Sequence, residues 1–178
     1  MPNWCENTVI VTGPEDEIKR FIDFVRSEES DFDFNRIAPI PEELKDIHVG
    51  GITIVSADGD KQYKNWRTKM VDGVEENVPV TDDEVKELKQ KYGASDWYEW
   101  ATDNWGTKWN TDSEDMSADI DNDMARYYFN TAWAPPFPVI QKASSLFPQL
   151  HFTLTYDEPG AGLYGSEEYQ NGKVLVAN

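Results

Sequence analysis

Over 7–13 the chain alternates, with Val9 and Val11 interleaved between Thr8, Ile10 and Thr12, and this period of two predicts a strand with one buried face. The period then changes. Ile18, Phe21, Ile22 and Val25 fall at i, i+3, i+4 and i+7 behind Gly13 and Pro14, which predicts an amphipathic helix over 15–26. Alternation returns over 32–37, read as a second strand that Pro39 and Pro41 terminate. From about 42 to 120 the pattern is different and reads as an insertion. Strand-like runs at 52–57, 62–70 and 74–80 are separated by Asp58-Gly59 and Asp72-Gly73, strong hairpin signals, so a small β-meander is expected. Thr81 to Glu84 spells a capping box, followed by Val85, Leu88 and Tyr92 and closed by Gly93. A second helix carries Trp97, Trp100, Ala101 and Trp105, with Ser95 as its expected cap and Gly106 as its stop.

From Ser117 strand signals resume, and a short Asp-Asn turn near Asp121 and Asn122 precedes the next strand. The aromatic run over 124–133 must end at Pro135 and Pro136, neither of which can donate to a ladder. A short helix over 138–147, a strand over 150–156 and a hairpin turning at Asn171-Gly172 complete the chain. The order β-α-β, insertion, β-α-β and hairpin is that of a ferredoxin-like split βαβ sandwich, α+β in class, with two helices on one face of an antiparallel sheet. On this reading 1–178 is a single domain, and 42–120 is a meander plus two helices inserted between the second and third strands.

Composition narrows the chemistry. Sixteen Lys and Arg against 34 Asp and Glu give a formal net charge of −18, which argues against a general affinity for phosphate backbones or anionic membranes. Nucleic acid is therefore not the expected partner; a basic protein is. Cys5, the only cysteine, can form no internal disulfide and reads as a small buried hydrophobe in a reducing compartment. The first residues carry neither a basic n-region nor an apolar h-region, and no window approaches the roughly 18 apolar residues of a membrane span. A cytoplasmic protein with no membrane association is expected.

Catalytic and cofactor motifs are weak. His48 and His151, the only histidines, lie in unrelated settings, so neither a metal site nor a histidine-based triad is expected. Asp119, Asp121 and Asp123 imitate the start of a calcium loop, yet Met124 stands in place of its glycine and Asn130 in place of its glutamate. Gly50-Gly51 and Gly160-Ala-Gly162 lack phosphate-loop spacing and read as turns. No cofactor is expected, and a single thiol rules out an iron–sulfur cluster within one chain.

Two features rise above this background. One is the aromatic and cationic string Trp105, Lys108 and Trp109 together with Trp133; the alternative is that these indoles lock the insertion onto the sheet. The other is the stretch 96–123, which holds nine carboxylates against Lys108 alone; within it Asp112, Glu114, Asp115 and Asp119 are the candidate docking residues. A solvated face is the plain reading of such a run. Lys61, Lys64, Arg67 and Lys69 form a basic counter-run that would make the molecule two-signed and permit self-association.

The opening over 1–7, the string Asn104-Trp-Gly-Thr-Lys-Trp-Asn110, the corner Thr131-Ala-Trp-Ala-Pro-Pro136 and the close from Phe147-Pro148 to Glu158 resemble the YubB-type ferredoxin-like proteins. Those are small proteins of phages, plasmids and bacterial genomes without an assigned activity. The resemblance implies the fold and a mobile-element setting, and it brings no catalytic residue with it. A non-enzymatic acidic binding protein is expected, docking a basic partner and interfering with a host nucleic-acid-binding system. Two other classes stay open: a small hydrolase or transferase using carboxylates in a groove beside Trp109 and Trp133, and a single-stranded nucleic acid binder stacking bases on exposed aromatics.

Overall fold

The computed structural model describes residues 3–55 and 61–178 and divides the chain into two compact units, 1–39 with 102–178 and Ile40–Ala101. In the first unit the alternating run forms β1 (Trp4–Thr12), and the amphipathic stripe forms α1 (Glu15–Val25), which buries Ile18, Phe21 and Val25. The second strand expected at 32–37 is instead α2 (Phe34–Ile37), a single helical turn. Asp33 caps it by accepting from Asn35 N, and Asn110 Oδ1 accepts from Phe34 N. Both bonds hold backbone that a ladder would otherwise have taken.

The sheet gets its missing strand from beyond the second unit. A 3-10 turn at Ser113–Asp115 leads into β5 (Met116–Ile120), followed by β6 (Met124–Ala132), α6 (Phe137–Leu146), β7 (His151–Glu158), β8 (Leu163–Gln170) and β9 (Lys173–Ala177). Their order is β5-β6-β1-β7-β8-β9, antiparallel throughout. The four strands β5-β6-β1-β7 with α1 and α6 make the ferredoxin-like α+β core, and the hairpin β8-β9 widens it. The long insertion therefore precedes the second sheet strand rather than following it.

Both helices cover one face. Phe21 of α1 meets Tyr127, Phe147 and Phe152 edge-on at ring centroid distances of 6.3, 5.2 and 5.3 Å, and Phe137 of α6 meets Tyr156 at 5.1 Å. Val9, Val11, Ala125, Phe129 and Leu154 fill the rest of that layer. The opposite face carries Thr8, Arg126, Tyr128, Asn130 and Thr155, none of them buried.

In the second unit α3 (Glu42–Lys45) precedes the meander β2 (His48–Val55), β3 (Lys61–Val71) and β4 (Val74–Pro79), paired in that order. Asp72 and Gly73, at φ 51° and 83°, make the tight turn that their sequence announces, as Asn171 and Gly172 do between β8 and β9. The Asp58-Gly59 turn lies outside the described residues. The capping box at Thr81 and Glu84 starts α4 (Asp82–Tyr92), and Gly93 at φ 78° ends it. The next helix, α5 (Trp97–Trp105), is capped by Asp96, which accepts from Glu99 N, and not by Ser95.

Candidate functional site

Each residue of the Trp105–Asn110 string has a distinct structural task. Trp105 is 2% exposed, donates Nε1 to Ala38 O at 2.8 Å and lies against Phe34. It is a core anchor and leaves the list of binding candidates. Gly106, at φ 84°, stops α5 where any Cβ would come 2.7 Å from Pro138 Cδ and 3.0 Å from Pro135 O. Thr107 Oγ1 donates to Ala132 O and accepts from Ala132 N, closing the end of β6. Asn110 ties the string to the α2 turn through Phe34 N and Asp33 Oδ1. So fixed, the string holds Lys108 and Trp109 at the surface.

There the sequence candidates converge. Trp109 and Trp133 are 43% and 47% exposed, and Lys108 Nζ lies 3.7 Å from the Trp109 ring centroid and 4.0 Å from that of Trp133. An ammonium shared by two indole faces is a double cation–π contact. Trp133 leaves β6 at φ 71°, an unusual conformation for a tryptophan, held by its N–H donating to Asn3 O. Thr131 supports the same corner, donating to Ala134 O while accepting from Asn7 Nδ2.

Trp4 joins the cluster, 40% exposed and 6.1 Å from Trp109 between centroids, at an interplanar angle of 42°. The sequence alone does not single it out, because the alternation that marks the first strand becomes legible only from Asn7. The register Trp4↔Ala132 sets it one residue from Trp133, a position visible once β1 is extended toward the N-terminus and paired with β6. Trp4, Trp109, Asn110, Asp112, Asp115 and Asn130 line a cleft of about 190 Å³.

The acidic stretch does not form one surface. Asp96 and Glu99 belong to the second unit, where Asn65 donates to Asp96 and Lys89 sits 2.9 Å from Glu99. Asp112 and Asp115 line the indole cleft; Glu114 and Asp115 line an adjoining depression of about 500 Å³ with Glu6 and Tyr128. Asp119 stands opposite Arg126 in the register and accepts from Tyr128 OH at 3.4 Å. Among the described residues, none of Asp112, Glu114, Asp115 and Asp119 has a cation within ion-pair distance, whereas Glu43, Asp82, Glu84 and Glu99 all do. The basic counter-run is spoken for. Lys64 pairs with Asp82 at 2.6 Å, and Arg67 and Lys69 lie within 4.0 Å of Glu84; the Lys61 side chain lies outside the described residues.

Several polar groups at and near the cleft are already engaged or buried. Asp112 Oδ1 is committed to Glu114 N at the 3-10 turn, and the Thr131 hydroxyl is buried and already bonded. Cys5 is fully buried on β1, and burial pushes its thiol up to about 11, away from the thiolate that nucleophilic work requires. His48 stacks on Trp66 at 4.1 Å, and His151 lies 3.2 Å from Glu168, each in a separate unit.

Residues 104–177 match the family model described as the ferredoxin-like domain in Api92-like protein. The Api92-like match begins at the residue before Trp105 and runs through β5, β6, α6 and the C-terminal hairpin, so it includes every sequence candidate of the site. A crystal structure of protein api92 from Yersinia pseudotuberculosis superposes with a TM-score of 0.57 at 14% identity, over 100% of this chain and 98% of that one. At that identity the likeness establishes the fold alone. No curated protein matches the chain. No helix among the described residues is long and apolar enough to cross a membrane.

Proposed function

We propose that this chain is a non-enzymatic docking protein of the YubB type, carried by a phage, plasmid or other mobile element, that engages a basic protein partner in the cytoplasm. One observation carries the reading: among the described residues Asp112, Glu114 and Asp115 have no cation within ion-pair distance and line the cleft and the depression at a half-exposed indole cluster, with Asp119, bonded to Tyr128 OH, further along β5. Carboxylates left unpaired beside desolvatable aromatic surface suit a cationic, partly apolar partner, with charge guiding approach and indoles supplying contact area. Spaced acids also imitate the potential of a phosphate backbone, so a host protein whose basic face normally holds nucleic acid is the partner class that fits. Internal pairing of Lys64, Arg67 and Lys69 weighs against docking through that strand to a second copy.

The exposed indoles also support a second reading, stacking of single-stranded bases, but the neighbouring carboxylates would repel the backbone that such bases bring. The test immobilises the parent chain and a variant carrying Asp112→Asn, Glu114→Gln, Asp115→Asn and Asp119→Asn in parallel bacterial lysates. A basic protein retained by the parent and lost from the variant supports docking. Retention of nuclease-sensitive nucleic acid, stronger on the variant, supports the stacking reading and refutes docking.

A further inference from the structure

One of the two indoles that hold Lys108, Trp109, also walls a cleft together with Trp4. We infer that the cleft walled by Trp4 and Trp109 and lined by Asp112 and Asp115 is a receptor for an arginine side chain of the partner. This rests on the docking reading above and specifies the group that the partner presents.

The geometry narrows how such a side chain enters. Centroids 6.1 Å apart leave too little room for a third planar group between Trp4 and Trp109, since each stacked contact needs about 3.5–4 Å. The two indoles therefore act as one angled wall, and the guest lies against it with the carboxylates of Asp112 and Asp115 within the same cleft of about 190 Å³. Lys108, which does not line this cleft, packs its Nζ 3.7 Å from the Trp109 centroid, so the ring already has a cation of its own chain against it. A guanidinium suits the remaining space better than an ammonium. It is planar, weakly hydrated and able to stack on indole while donating to carboxylate oxygens in its own plane, whereas an ammonium gives up a tighter hydration shell and cannot do both. The cleft's acidity matches that charge, and neither Asp112 nor Asp115 is ion-paired within the described residues.

The experiment titrates the chain with two short acetylated peptides of equal length and charge, one of arginine and one of lysine, at low salt by calorimetry. The arginine peptide is expected to bind about tenfold more tightly, the scale of one favourable cation–π and stacking contact. Trp109→Ala and Trp109→Leu are each expected to abolish that preference with circular dichroism unchanged, Leu serving as the variant that keeps apolar bulk without a π face. Asp112→Asn with Asp115→Asn is expected to weaken both peptides. Equal affinities, or a preference surviving in Trp109→Leu, overturn the arginine cleft. If equal affinities still fall when the acids are neutralised, acidic docking survives without the cleft. Absence of binding by either peptide overturns both.

Discussion

Trp105 and Trp109 stand four residues apart in one string and are expected to respond in opposite ways to truncation. Trp105→Ala empties a site that is 2% exposed and removes the Nε1 donor from Ala38 O. Deleting a buried large aromatic costs about 3–5 kcal/mol, and an orphaned buried carbonyl adds about 1–3 kcal/mol, partly overlapping with the first. The combined loss of roughly 4–6 kcal/mol is a large share of the 5–15 kcal/mol typical of a folded chain. Trp105→Phe keeps a ring against Phe34 and loses the hydrogen bond, so about 1–3 kcal/mol is expected. Trp109→Ala removes a ring that is 43% exposed, together with one of the two indoles around Lys108, and about 0.5–1 kcal/mol is expected. Urea unfolding followed by far-ultraviolet circular dichroism measures all three, with midpoints compared at constant slope. If Trp109→Ala costs as much as Trp105→Ala, Trp109 belongs to the core and the surface cluster does not exist. If Trp105→Ala costs under about 1 kcal/mol, the string is not anchored as described.

Gly106→Ala places a methyl group 2.7 Å from Pro138 Cδ at φ 84°, so a loss of at least about 1–2 kcal/mol is expected in thermal unfolding; an unchanged midpoint would contradict the close approach. At Trp133, φ 71° predicts that Gly is tolerated better than Ala by about 1 kcal/mol, since both lose the indole and only Ala keeps the unfavourable backbone; equal costs would argue against the left-handed corner. Cys5 is pushed by burial from 9.0 up to about 11, so the folded chain holds this proton more tightly than the unfolded one. Its contribution is fully present below about pH 9 and falls away toward pH 11 by on the order of 2 kcal/mol. Stability of Cys5→Ala should be flatter than the parent's across that window, and identical slopes would refute the assignment.

Local rules made much of this fold legible. The stripe from Ile18 to Val25, the Thr81 capping box and the Asp72-Gly73 and Asn171-Gly172 turns each depend on neighbours within a few residues, and each formed as the sequence indicates. The 32–37 segment failed because Phe32, Phe34 and Ile37 are buried through one helical turn, and the Asn110 bond that stabilises that turn comes from 76 residues away. Strand signals from Ser117 overlap the end of the range read as insertion, and β5 is a short edge strand whose partner is set only by the closed sheet. At the site, the sequence singles out Lys108, Trp109 and Trp133 as large groups, and the structure gathers them around the Lys108 ammonium. Trp105 carries the same side chain but points inward from the last turn of α5, a distinction composition does not contain. The acidic run divided for a similar reason: Asp96 and Glu99 acquire partners from β3 and α4, which only the fold supplies.

The claim that acidic docking guides the partner is tested most directly by association rate against salt. The partner retained by the parent chain is mixed with the parent and with the Asp112→Asn, Glu114→Gln, Asp115→Asn, Asp119→Asn variant in stopped flow, from 0.1 M to 1 M salt, as the Debye length shortens from about 10 Å to about 3 Å. The parent's on-rate should fall steeply over that range, while the variant should start slow at 0.1 M and change little, with folding stability unchanged or slightly raised by relief of like-charge repulsion. A variant that associates as fast as the parent at 0.1 M would contradict the account and leave these four acids as a solvated face.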